Sequence, residues 1–143
     1  MITGFRHAGI VVEDLDRSLA FYVDKLGFKV VNQQDECGPY IDYLLQIASA
    51  QVTTVKLAAP DGSMIELLKF SRPMGPIRKH EIFEHCVSHL AFTVDDVQGM
   101  YEKLFEEGVG FKAPPLVSPD GKCKLTFALD PDGTYLELVQ ALN

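Results

Sequence analysis

The sequence predicts an α+β fold of two tandem βαβββ modules. Two observations carry that prediction. Two pairs of similar blocks recur in the same order, and each copy alternates between strand-like and helix-like spacing of its apolar residues. The first pair sets Phe5-Arg6-His7-Ala8-Gly9-Ile10-Val11-Val12-Glu13-Asp14 beside Val87-Ser88-His89-Leu90-Ala91-Phe92-Thr93-Val94-Asp95-Asp96, with His on His, Val12 on Val94 and Asp14 on Asp96. The second sets Pro60-Asp61-Gly62-Ser63-Met64-Ile65-Glu66-Leu67 beside Pro131-Asp132-Gly133-Thr134-Tyr135-Leu136-Glu137-Leu138, with Pro-Asp-Gly and the Glu in register. Such order marks a duplication. His7 and Glu66 stand further apart than His89 and Glu137, so the first copy carries extra residues. Their natural place is 35–50, where a turn at Gly38-Pro39 precedes a short amphipathic segment.

Each element has its own signal. Residues 5–12 alternate weakly and are rich in β-branched side chains, which makes a strand. Asp14 is a good N-cap, and Leu15, Leu19, Tyr22 and Leu26 follow at helical spacing, closed by Gly27. Residues 28–33 and 52–57 read as strands, Pro60-Asp61-Gly62 as a turn, and 64–70 as the fourth strand. In the second copy Asp95 or Asp96 caps a helix with Met100, Tyr101, Leu104 and Phe105, ended by Gly108. Strands 124–129 and 134–140 flank the turn at Pro131-Asp132-Gly133. The chain 1–143 is thus one domain: module one 1–70, a linker 71–86 holding Pro73, Gly75 and Pro76, and module two 87–143.

Composition excludes several classes. Hydrophobic residues are 47% and charged residues 23% of 143, enough apolar mass for a core. No apolar run approaches the roughly 20 residues of a membrane span, and residues 1–6 do not resemble a signal peptide. A cytoplasmic protein follows. The net charge of −7 argues against nucleic acid or an anionic membrane as partner. Cys37, Cys86 and Cys123 form no Cys-x-x-Cys pair and read as reduced, partly buried thiols.

Strand periodicity then singles out four residues. Ala8, Ile10 and Val12 share a face, as do Leu90, Phe92 and Val94, and these sets pack under the helices. The opposite face carries His7 and Gly9, or His89 and Ala91, where the small residue suggests open space near the imidazole. In the fourth strands Ile65 and Leu67, or Leu136 and Leu138, turn to the helices and leave Glu66 and Glu137 on the histidine side. A carboxylate inside such an apolar run is costly unless paired or bound to a cation. Taken singly, a strand His or Glu is more often an ordinary hydrogen-bonded or solvated residue. Recurrence at matched positions favours a ligand set: His7, Glu66, His89 and Glu137. Two imidazoles and two carboxylates suit one divalent ion of Zn, Ni, Co, Mn or Fe, with positions left for water or substrate. His80 and His85 lie outside the repeat and read as surface residues.

At these blocks, together with Asp14-Leu15-Asp16-Arg17-Ser18-Leu19-Ala20-Phe21-Tyr22 and Leu26-Gly27-Phe28, the sequence resembles the vicinal oxygen chelate superfamily. That group holds glyoxalase I, methylmalonyl-CoA epimerase, extradiol dioxygenases and bleomycin-resistance proteins. The resemblance covers nearly the whole chain. It implies two tandem βαβββ modules forming a curved mixed sheet around a metal cavity, a divalent metal that the substrate's adjacent oxygens chelate, and commonly a homodimer. Exposed edges of short sheets point to pairing too. Keeping all four ligands resembles the enzymes more than the antibiotic-binding members. Glu66 makes the set more similar to the glyoxalase and epimerase branch than to the three-ligand dioxygenases. Ala48-Ser49-Ala50-Gln51 lacks the acidic residue that the methylmalonyl-CoA epimerases carry just before the third strand. Glyoxalase I needs cations for glutathione carboxylates, for which Arg6, Arg17, Arg72, Arg78 and Lys79 are available.

The chemistry of such a site is proton transfer next to a carbonyl. A metal polarises the carbonyl and stabilises the enediolate charge, and Glu137 or Glu66 serves as the general base. The expected function is an isomerase, epimerase or lyase of the lactoylglutathione lyase kind, acting on a small molecule with adjacent oxygens. An extradiol-type dioxygenase and a ligand-sequestering binding protein are the competing readings. Met64, Leu68, Phe70 and Tyr135 are the generic apolar residues expected to line the cavity.

Overall fold

The computed structural model describes every residue except Cys86 and Asn143. The expectation for Cys86 lies outside the described residues. The chain divides into two compact units, Met1–Ile77 and Arg78–Asn143, so residues 71–77 go with the first and 78–86 with the second. Each unit holds a four-stranded mixed sheet. The α+β class and the repeated module are as the sequence predicts.

In the first unit the strands are β1 (Ala8–Val11), β2 (Lys29–Cys37), β3 (Gln51–Ala58) and β4 (Met64–Arg72), in the order β1-β4-β3-β2. β1 runs parallel to β4, and the other pairs are antiparallel. Helix α1 (Leu15–Leu19) starts at Asp14, whose carboxylate accepts the backbone N–H of Arg17 at 2.9 Å. It then widens into a π-helix over Ala20–Lys25. Phe21 and Tyr22 are both buried, on one face with Ser18 a turn before them. Gly27 closes the helix at φ +80°, a conformation that costs glycine little.

Two boundaries differ most from expectation. Strand one begins at Ala8, not at Phe5, and Phe5 is exposed. β2 runs on to Cys37 because its outer half stays paired with β3, with Asp35 opposite Thr53 and accepting its hydroxyl at 2.6 Å. The amphipathic segment of the first copy is helix α2 (Pro39–Leu45), whose Ile41 packs with Ala50 and Val52 against Ile47, Leu68 and Phe70.

In the second unit the strands are β5 (His89–Thr93), β6 (Leu116–Val117), β7 (Cys123–Leu129) and β8 (Tyr135–Ala141), in the order β5-β8-β7-β6. Strand β6 is an addition to the sequence reading. Helix α3 (Val97–Glu106) is capped by Asp96, which accepts the Gly99 N–H at 3.0 Å. Its Val97 and Leu104 are fully buried, while Phe105 is 59% exposed and stacks on Tyr101. The turn at Pro131-Asp132-Gly133 is held by the buried Asp130, which accepts the N–H groups of Asp132 and Thr134.

Candidate metal centre

Alternation along the strands sorts the two faces as the sequence suggests. Ile10, Val12, Ile65 and Leu67 are buried on one side of the first sheet, and Leu136 and Leu138 on one side of the second. Glu66 and Glu137 fall on the opposite faces. The structure brings His7 to Glu66, with Nε2 3.1 Å from Oε2, and His89 to Glu137, with Nε2 3.2 Å from Oε2. Each unit therefore presents one imidazole–carboxylate pair, half-buried, at the same place in its fold. Among the described residues no three His, Cys, Asp or Glu side chains are gathered closely enough to hold an ion.

The repeat explains the equivalence. Gly9 is opposite Glu66 across the parallel β1–β4 pair, and Ala91 is opposite Glu137 across β5–β8. In both units the histidine lies two positions before that small residue. Gly9 does not leave open space, however. A Cβ there would stand 3.2 Å from Leu68 Cδ1, so that side chain already occupies the gap. Leu68 and Phe70 are likewise engaged with the α2 segment. Tyr135 is buried on the Glu137 face, and its hydroxyl donates to Glu81 Oε2 at 3.4 Å.

The two pairs differ in their surroundings. Nδ1 of His89 is 2.7 Å from the Ser88 hydroxyl, a partner that holds the ring in place whichever of the two donates. Phe127 sets its edge against the same ring at 5.4 Å between centroids. Nδ1 of His7 is buried without a hydrogen-bond partner, which costs about 1–3 kcal/mol. Directly opposite Glu66 on β3 is Lys56, whose Nζ is 3.7 Å from Oε1. Phe127 holds the corresponding position opposite Glu137.

Lys56, Ser88 and Phe127 were absent from the sequence-derived set. Lys56 and Glu66 are equally far from Asp61, and Phe127 and Glu137 equally far from Asp132. A hairpin centred on those turns pairs them, so two of the three were within reach of a register count. His80 and His85 are exposed, and His80 pairs with Glu84 at 3.4 Å. Cys37 is exposed and Cys123 half-buried, and both are free thiols.

The sequence profile of the Glyoxalase/Bleomycin resistance protein/Dioxygenase superfamily matches residues 4–138. The chain is 30% identical over 142 residues to the uncharacterized protein YwkD of Bacillus subtilis, a match that covers 98% of each. It is 31% identical over 141 residues to a lactoylglutathione lyase of Schizosaccharomyces pombe. That match covers 93% of this chain but 46% of the yeast protein, so the chain spans about half of that relative. A glyoxalase family protein from Bacillus cereus superposes with a TM-score of 0.90 over 100% of this chain and 97% of its own. At 23% identity this is a likeness of fold.

Proposed function

The chain belongs to the Glyoxalase/Bleomycin resistance protein/Dioxygenase superfamily, and on that premise we propose that it is a divalent-metal-dependent enzyme moving a proton next to a carbonyl. Its nearest named reaction is that of the lactoylglutathione lyases among its relatives. The observation that carries the reading is the recurrence of one His–Glu pair per unit at matched positions. Metal fit rests on donor chemistry and spacing. Two ligand atoms about 2.1 Å from one ion and about 90° apart stand about 3 Å from each other, which is the separation within each pair. The proposed ligand set is His7, Glu66, His89 and Glu137, two imidazoles and two carboxylates. Bound there, Zn, Ni, Co, Mn or Fe would act as a Lewis acid on a substrate with adjacent oxygens and offset the charge developing at its carbonyl.

The chain's own residues do the rest. His7 and His89 offer Nε2, and the hydroxyl of Ser88 holds the ring of His89 through Nδ1. Glu137 or Glu66 takes the proton from the carbon beside the carbonyl on a carboxylate oxygen. No helix is long and apolar enough to cross a membrane among the described residues, and a cytoplasmic small-molecule enzyme fits.

Elemental analysis of purified or reconstituted protein is expected to find about one divalent ion per chain. His89→Ala should weaken retention at least tenfold, because loss of an outer-shell partner alone costs that much. No metal after reconstitution with any of the five ions defeats the reading. Exchange of the lactoyl C2 proton of S-lactoylglutathione with solvent deuterium tests the reaction. Tight binding of such compounds without exchange would favour a sequestering protein.

A homodimer is part of the same reading, since β1 and β2 are edge strands of the first sheet, and β5 and β6 of the second. Sedimentation is expected to give twice the chain mass at micromolar concentration. A monomer throughout that range would count against it.

A further inference from the structure

Lys56 breaks the symmetry of the duplicated site, and nothing in the reading above uses it. Its side chain is 23% exposed and stands on the same sheet face as His7 and Glu66. The ammonium group carries three N–H donors. Glu66 Oε1 is 3.7 Å away, an ion pair too long for a hydrogen bond. Among the described residues no protein acceptor satisfies those donors. On the neighbouring strand β2 the residue opposite Lys56 is Asn32, which brings no second carboxylate to that position. A half-buried cation that reaches solvent and lies beside a pair of ligand-type residues is suited to an anionic guest.

We propose that Lys56 contacts the substrate and selects a small carboxylate whose charge lies next to its adjacent oxygens, a 2-hydroxy or 2-oxo acid. This rests on the proposed site and sets its preferred guest apart from S-lactoylglutathione, which keeps the adjacent oxygens but carries its carboxylates far from them. Lys56 forms its ion pair with Glu66 itself, so the carboxylate it reads belongs to the reacting end of the ligand, not to a distant substituent. The second unit has Phe127 at the matching position and offers no such cation there.

The alternative is that Lys56 only neutralises Glu66. Calorimetric titration separates the two, using lactate as the charged probe and butane-2,3-dione as a neutral compound with adjacent oxygens. Both are titrated into protein of measured metal content, with and without added metal. Lys56→Met is expected to weaken lactate binding about tenfold to a hundredfold, the range of one charge-assisted hydrogen bond. It should leave the dione within about twofold, and Lys56→Arg should retain most of the lactate affinity. Equal weakening of both probes reduces Lys56 to a support for Glu66 and overturns the inference. So does unchanged lactate binding in Lys56→Met, or a wild type that binds no lactate in either form. Loss of the metal reading shows separately, as protein that retains no ion while Lys56 still governs lactate in the metal-free arm. S-methylglutathione, whose carboxylates are remote from any such oxygens, is the third probe. Lys56 dependence confined to it would assign the residue to a distant carboxylate and overturn the assignment to the reacting end.

Discussion

Glu137→Gln is expected to slow exchange of the lactoyl C2 proton of S-lactoylglutathione by about 10²- to 10⁴-fold, the contribution of one positioned acid–base group. Metal content should fall far less. The amide still offers an oxygen to an ion but cannot take up a proton in the range where a carboxylate does. Glu66→Gln is the informative companion, because its surroundings differ. Glu66 faces both His7 and Lys56, whereas Glu137 faces His89 with Phe127 opposite. Tyr135, on the same face as Glu137, is available to a substrate oxygen if its long contact with Glu81 gives way. A larger loss at Glu137 than at Glu66, with metal content matched, places the base on the second unit. Wild-type exchange in both variants would remove both glutamates as the base.

The duplication was legible because each copy keeps the same His, the same Pro-Asp-Gly turn and the same Glu. Period-two alternation then assigned their faces correctly. The details that escaped have physical causes. The π-helix over Ala20–Lys25 leaves no periodic mark, since Ser18, Phe21 and Tyr22 keep the i, i+3, i+4 spacing of an ordinary helical face. β6 is two exposed residues just after Pro114 and Pro115 in the sequence, with a single pair of partners on β7, too short to show alternation. Leu68 and Phe70 look like cavity residues from their strand positions, yet α2 folds Ile41 onto them, a contact set by tertiary packing. Lys56 was overlooked for a different reason. A lysine on a strand looks like solvent-facing charge until the hairpin register sets it across from Glu66.

Leu67→Ala should be the most destabilising single change in the first unit. Leu67 is completely buried in β4, opposite Ile10 on β1 and Val55 on β3, so its side chain ties three strands together. Removing it takes away apolar contact and leaves a cavity that the paired strands cannot easily close, a loss of about 2–5 kcal/mol. With a urea slope of about 2 kcal/mol per molar, the midpoint should fall by roughly 1–2.5 M. Hydrogen exchange of the β3 and β4 amides should speed up with it, which assigns the loss to this unit. The site is linked to the same strand, because Glu66 is the next residue and its pairing with His7 depends on β4 keeping register with β1. Metal retention should therefore fall as the strand loosens. Leu116→Ala serves as the control, since Leu116 is 76% exposed and a surface change of that kind stays within about 0.5 kcal/mol. A Leu67→Ala midpoint no lower than that of Leu116→Ala would mean that β4 is not the central strand of the first core.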